Sequence, residues 1–456
     1  MPDPDALLTV AQMRAAEGAL IASGSSVEAL MELAGRGAAE WVWRVAGRQR
    51  VTVLCGPGNN GGDGYVIAQS LRERGGDVVV IAAGEPHGAA AMSARQAYTG
   101  EVLGAGADAH GEVFVDCLFG TGLSRAVSGE HVALLDKLAR SHRLSIAVDV
   151  PSGVDADSGA LLAPTLPSYD LTIALGAWKF AHMLMPSAAL MGSLHLVDIG
   201  VDAPGEAAHV LAAPSLTAPA ADAHKYRRGL AMVVGGAMPG AASLAAEACL
   251  RAGAGYVRLS APQPAPASHA IVQSREPDFD KAKAVLIGPG LGRDDAALAL
   301  LETALQAGVP TVADADALWL LAERKMPGLR APTILTPHEG EFIRLFGEAK
   351  GSKVDRACTA ATSSGSVIVY KGPDTVIAAP DGQVAVARRA STWLSTAGTG
   401  DVLAGLCASR LAVGGDPFRA ACEAVWLHAE AARLAGPAFA ADDLVRFIPQ
   451  AMADRL

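Results

Sequence analysis

The chain has 456 residues, 51% of them apolar and 18% charged, with a formal net charge of -10. That length predicts two domains of roughly 200 residues each, and the composition excludes wholesale disorder. The acidic balance argues against a general nucleic-acid binder, and no apolar run approaches the ~20 residues of a membrane span.

The opening Met1-Pro2-Asp3-Pro4-Asp5 lacks the basic segment of a secretory signal. A helical stretch is expected from Thr9 to about Val45, with apolar residues at helical spacing. Strands then recur at 51–54, 78–81, 113–116, 146–149, 171–175 and 194–197, several of them separated by helix-length segments. Continuous apolar strands between helices predict a parallel sheet covered on both faces. Cys55, Cys117, Cys249, Cys358, Cys407 and Cys422 show no metal-ligand spacing, and are read as core residues of a reducing, cytoplasmic compartment.

Ligands collect at the carboxyl ends of strands in open α/β sheets. Strand 51–54 is followed by a glycine-rich loop, Gly56 to Gly64, and then a helix from Tyr65. Its glycines let backbone N–H groups approach a phosphate. Asn59, Asn60 and Asp63 exceed what a turn needs, although a purely structural loop reads the same way. Asp116 and Asp149 each end a strand. With asparagine and serine oxygens nearby they suit a hard cation, or else they cap the turns that follow.

Asn59-Asn60-Gly61-Gly62-Asp63, Asp116 with Gly120-Thr121-Gly122-Leu123, and Val148-Asp149-Val150-Pro151-Ser152-Gly153 resemble the signature loops of the NAD(P)H-hydrate epimerases. The resemblance covers roughly residues 5–210 and implies a Rossmann-like parallel-sheet sandwich. It implies potassium held by Asn60, Asp116 and Ser152. Contact with the hydrated nicotinamide nucleotide would come from Asn59 to Asp63, from Gly120 through Ser124 and Arg125 to Ala126, and from Asp149. The family interconverts the R and S forms at the hydrated C6 carbon, and Asp149 is the candidate acid or base.

From Asp202 to about Ala223 the chain turns Ala/Pro-rich, a candidate linker. Strands resume at 230–234, 256–259, 284–287, 311–313, 333–335 and 367–370, with a hairpin at 376–379 and 384–387. Gly398-Thr399-Gly400-Asp401 runs into a helical Val402 to Arg433, broken at Gly414 to Pro417. Glycines ahead of a helix present N–H donors and the dipole to an anion, though a capped helix start needs no more. Tyr370-Lys371-Gly372-Pro373-Asp374-Thr375 suits nucleotide phosphates, while the lysine reads equally as a surface turn residue.

With His224 to Gly229, Gly235 to Ala241, Gly288 to Gly292 and Thr336 to Glu341, these loops resemble the (S)-NAD(P)H-hydrate dehydratases. That likeness spans about residues 220–456 and implies a ribokinase-like α/β fold. It implies ADP bound by Lys371, Gly372, Pro373, Asp374, Thr375 and Gly400, with Mg2+, and substrate touched by Ala241, Gly290, His338 and Asp401. Glu339 departs from the proline usual there. The order of the halves resembles the fused bifunctional repair enzymes of bacteria: an epimerase over 1–212 and an ADP-dependent dehydratase over 213–456. Asp401 would deprotonate the C6 hydroxyl for attack on the terminal phosphate of ADP. Phosphate would then leave as the ring nitrogen pushes in electrons, giving NAD(P)H, AMP and phosphate. A homo-oligomer is expected by analogy alone. A ribokinase-like small-molecule kinase and a non-catalytic binding scaffold remain as rival readings.

Overall fold

The computed structural model describes residues 3–324 and 333–456, so the expectation for Met1 and Pro2 lies outside the described residues. The chain forms two compact units, Met1–Val210 and Leu211–Leu456.

The first unit runs β1 (Ala6–Leu8), α1 (Val10–Ala22), α2 (Val27–Ala46), β2 (Val51–Cys55), α3 (Asn59–Glu73), β3 (Val78–Ala82), α4 (Ala89–Ala97), β4 (Glu101–Gly104), β5 (Gly111–Cys117), α5 (Gly129–Ser141), β6 (His142–Val148), β7 (Leu171–Leu175), β8 (Trp178–Lys179), β9 (Ser193–Val197) and β10 (Ala208–Val210). Its main sheet is parallel throughout, in the order β4-β3-β2-β5-β6-β7-β9. Alternation sorts the side chains by face. Val51, Val53, Val113 and Val115 pack with the α2 and α3 residues Ala38, Val42 and Ile67. Leu54, Phe114 and Ala147 pack with Leu135 and Leu138 of α5 on the other side. The strand order reverses between β2 and β5, which opens a crevice at their carboxyl ends.

Three expectations change. The single N-terminal helix is two, because Gly24 takes a φ of 115° and Ser26 caps a new start, its hydroxyl accepting from Ala29 N at 3.1 Å. Helix α3 begins at Asn59 rather than Tyr65, so the predicted loop residues Asn59 to Gly64 form its first turns. Glycine is a poor helix former, yet tertiary approach demands it here: a Cβ on Gly61 would lie 1.8 Å from the Gly56 carbonyl oxygen. The candidate linker contains β10, which pairs antiparallel with β1.

The second unit runs β11 (Leu230–Val234), α6 (Pro239–Arg251), β12 (Tyr256–Ser260), β13 (Val272–Ser274), β14 (Ala284–Ile287), α7 (Asp295–Gln306), β15 (Thr311–Ala313), α8 (Asp316–Arg324), β16 (Thr333–Leu335), α9 (Glu339–Phe346), α10 (Lys353–Ser364), β17 (Val367–Tyr370), β18 (Val376–Ala378), β19 (Val384–Val386), α11 (Thr399–Gly414), α12 (Pro417–Ala435) and α13 (Ala441–Ala453). Strands lie in the order β13-β12-β11-β14-β15-β16-β17-β18-β19, and only the β17–β18–β19 hairpin region is antiparallel. Helix α11 is buried on nearly every side, as its all-round apolar sequence requires. Asp416 and Pro417 restart the chain as α12, Asp416 accepting from Arg419 N at 2.7 Å.

Candidate active sites

In the first unit a cavity of about 770 Å³ opens over the β2/β5 crevice. Asn59, Asn60, Asp63, Gly120 to Arg125 and Asp149 line it, joined by Arg14, Glu17 and Lys179. Gly61 and Gly62 are buried in the helix packing instead, and Ala126 is outside the wall. Gly120 is a glycine for a visible reason: a Cβ there would stand 3.2 Å from both Asn60 Cβ and Asp149 Oδ2.

Asp149 follows β6 with a φ of 67°, a conformation that non-glycine residues adopt at some cost. Its Oδ1 accepts from Lys179 Nζ at 2.5 Å and its Oδ2 from Thr121 N at 3.3 Å. Burial alone would raise this carboxyl, but the Lys179 ammonium holds it below the usual carboxylate range. His182 completes the arrangement: Nδ1 accepts from Lys179 N at 2.9 Å and Nε2 donates to the Asp149 carbonyl at 2.7 Å. Burial lowers this imidazole to about 4, so it stays neutral.

Asp116 and Ser152 sit behind the cavity wall. The Asp116 carboxylate is fully buried and accepts from Ser152 Oγ (2.7 Å), Ser152 N (3.0 Å), Leu118 N (3.1 Å) and Tyr169 OH (2.6 Å). None of these donors is cationic, and burial raises the Asp116 carboxyl above its ordinary value. Asn60 is buried too, and neither its Oδ1 nor its Nδ2 has a hydrogen-bond partner. An uncompensated buried negative charge and an unspent amide oxygen fit a monovalent cation bound through oxygen.

The second unit gathers its site around Lys371. The Lys371 ammonium donates to Asp314 Oδ1 at 2.7 Å and stands 3.6 Å from Glu341 Oε2. Burial works against that charge, yet Asp314 and Glu341 keep Lys371 above its usual value. Asp314 is oriented by Thr336 Oγ1, which donates at 2.8 Å. Asp401 lies in the first turn of α11. Burial, reinforced by Asp314 and opposed by Lys371, pushes its carboxyl up to about 7. Gly398, at a φ of 90°, caps that helix, and a Cβ on Gly400 would sit 3.8 Å from Lys371 Nζ.

His338 caps α9, its Nδ1 accepting from Gly340 N at 3.0 Å, and its backbone N donates to Glu341 at 2.9 Å. It thereby reaches Lys371 through Glu341. The loop of Gly290 is tied to the approach to α6, Met238 N donating to Gly290 O at 2.9 Å. Asp316 accepts from Gly292 N at 3.0 Å. Thr375 closes its own turn by donating to Gly372 O at 2.9 Å, while Asp374 pairs with Lys353 at 2.6 Å. Glu339 accepts from the Tyr370 hydroxyl and from Arg356 at 2.9 Å.

Sequence reasoning missed Glu17, Lys179, His182, Asp314 and Asp316. Asp314 carried a usable signal, since it follows strand β15 as the other candidates follow theirs. Lys179 carried none, being 30 residues from its partner.

Known proteins match the two halves of the chain separately. Residues 231–450 match the family model described as NAD(P)H-hydrate dehydratase, and residues 27–181 match that of the YjeF-related protein N-terminus. The bifunctional NAD(P)H-hydrate repair enzyme of Moorella thermoacetica is 34% identical, over 92% of this chain and 91% of its own. That of Gloeobacter violaceus is 37% identical, over 93% and 92%. A crystal structure of the ADP/ATP-dependent NAD(P)H-hydrate dehydratase from Bacillus subtilis, co-crystallized with ATP/Mg2+, is 30% identical. It covers 53% of this chain and 95% of that one, with a TM-score of 0.48. With both halves matched and near-complete relatives above 30% identity, the chain belongs to the family of bifunctional NAD(P)H-hydrate repair enzymes.

Proposed function

We propose that residues 1–212 epimerise R- and S-NAD(P)HX and that residues 213–456 dehydrate the S form with ADP, releasing NAD(P)H, AMP and phosphate. The observation that carries this reading is the placement of Asp401 in the first turn of α11, at a glycine-flanked helix start beside Lys371, where burial pushes its carboxyl up to about 7. A base poised there takes the C6 hydroxyl proton at neutral pH, and the N–H groups of the α11 start steady the phosphoryl group transferred. Lys371 and the Gly372 to Thr375 turn hold the nucleotide phosphates, with Gly400 beside them. Mg2+ entering with ADP would supply charge neutralisation there. Ala241, Gly290 and His338 contact the substrate.

In the epimerase site Asn60, Asp116 and Ser152 hold potassium, which supplies the positive charge that Asp116 lacks. Asn59, Asn60, Asp63, Gly120 to Arg125 and Asp149, which line the cavity, receive the hydrated nucleotide, with Asp149 as acid or base. The six free cysteines support a reducing, cytoplasmic setting; no described helix is long and apolar enough to cross a membrane. A homo-oligomer completes this reading.

The test is recovery of reduced-nicotinamide absorbance from mixed R- and S-NADHX with K+, Mg2+ and either ADP, ATP or no nucleotide. Complete, nucleotide-dependent recovery supports both activities. Recovery that stops at the S fraction removes the epimerase, and a stable phosphorylated product replaces the dehydratase with a kinase.

A further inference from the structure

The epimerase cavity holds two carboxylates in opposite states of satisfaction. Asp149 is bonded by Lys179 and Thr121 and remains an anion. Asp63, one turn into α3, is only 8% exposed and lines the same cavity. Among the described residues no group donates a hydrogen bond to it. A buried carboxyl without donors keeps its proton more readily than one with a lysine partner. Two such carboxyls in one site divide into an acid and a base.

We infer that Asp63 is the proton donor of the epimerisation, acting with the Lys179-held Asp149 as its anionic counterpart. This rests on the epimerase reading above and deepens it. The Asp63 carboxyl gives its proton to the C6 hydroxyl. The C6–O bond breaks with its electron pair going to oxygen, water leaves, and the ring nitrogen lone pair forms the C6=N1 iminium. The nicotinamide ring turns about its bond to the ribose, and water then adds to the other face of C6, now presented to Asp63. One proton of the adding water returns to the Asp63 carboxylate, so atoms and charge balance over the cycle. Asp149, fixed as an anion, accepts a hydrogen bond from the water in transit and balances the iminium charge.

The electrostatics agree. Burial pushes the Asp63 carboxyl well above the usual range, and the Asp149 and Glu17 carboxylates add to this, with Lys179 opposing. Glu17 on α1 is itself raised by burial. Cys55 and Cys117, whose thiols also feel Asp63, are pushed up by burial and stay neutral. The charged and titratable groups facing Asp63 are therefore Glu17, Asp149 and Lys179, with Cys55 and Cys117 behind.

The experiment follows interconversion of pure S-NADHX into R-NADHX chromatographically, with K+ and no nucleotide, in the full-length chain. Asp63→Asn should lower kcat by about 10²-fold or more, as loss of a general acid does, with KM nearly unchanged. Asp63→Glu should recover part of the rate. The wild-type rate should fall as pH rises through the elevated Asp63 value, and the residual rate of Asp63→Asn should lose that dependence. An Asp63→Asn rate within about threefold of wild type, or one that keeps the wild-type pH profile, overturns the assignment. Should that variant melt early, the Asp63→Glu rate and the wild-type pH profile decide. Wild-type chain that dehydrates the S epimer yet never interconverts the two removes the epimerase reading itself, a failure separate from that of Asp63.

Discussion

Replacing Lys179 with methionine strands a buried carboxylate in the first unit. The side chain is 1% exposed, and its ammonium is the basic group bonded to the Asp149 carboxylate. Removing one member of a buried ion pair costs about 3–5 kcal/mol, because the other charge is left uncompensated. An independent route gives the same size. The chain can escape by protonating Asp149, which at pH 7 costs about 4 kcal/mol for a carboxyl of ordinary pKa. For a unit of this length each kcal/mol shifts Tm by about 2–4 °C, so a fall of about 6–20 °C is expected. The sign with pH follows. In wild type the depressed Asp149 carboxyl contributes stability above its unfolded pKa, and that is lost as pH falls through the folded value. In Lys179→Met the carboxyl is raised instead, so the deficit should shrink on acidification; at pH 5 the protonation cost is only about 1.5 kcal/mol. Scanning calorimetry of wild type, Lys179→Met and Lys179→Met with Asp149→Asn, at neutral and mildly acid pH, measures this. The double variant should recover much of the loss, since no charge is stranded. A Lys179→Met transition within about 2 °C of wild type, or a deficit that grows on acidification, would refute the reasoning.

Other expectations follow from the same geometry. Asp401→Asn should cut dehydration of S-NADHX by about 10²- to 10⁴-fold. In wild type that rate should climb with pH and level off above about 7, because the base must be charged. Lys371→Met should raise the KM for ADP and move this inflection upward, since Lys371 is the group pulling the Asp401 carboxyl down; an inflection that stays put would remove the electrostatic link. Gly120→Ala places a methyl 3.2 Å from Asn60 Cβ and Asp149 Oδ2. It should depress epimerisation in the interconversion assay while dehydration of the pure S epimer stays at the wild-type rate.

Much of the site was legible in the sequence because strand-end loops announce themselves locally. Gly-rich and Asp-bearing segments follow apolar strands, and Asp149 and Lys371 stand where that rule puts them; Asp401 announced itself instead by the Gly398-Thr399-Gly400 helix start. The same locality misled at Asn59 to Gly64. Glycine content reads as loop, and only the close passage of α3 over the Gly56 carbonyl shows why a helix must be built from glycine there. The division of Thr9 to Val45 into two helices was written in Gly24 and Ser26, and a cap reading would have found it.

By itself, then, the sequence determined two α/β halves and the loops at their strand ends, since hydrophobic periodicity and turn chemistry are short-range properties. Tertiary structure alone decided the charge states. Lys179 reaches Asp149 across 30 residues, and Lys371 reaches Asp314 across 57. Burial in one crevice then separates Asp63 from Asp149, and in the second unit burial lifts the Asp401 carboxyl above its ordinary range. A carboxyl's proton affinity depends on which donors and charges surround it and how much water is excluded, and chain neighbours specify neither.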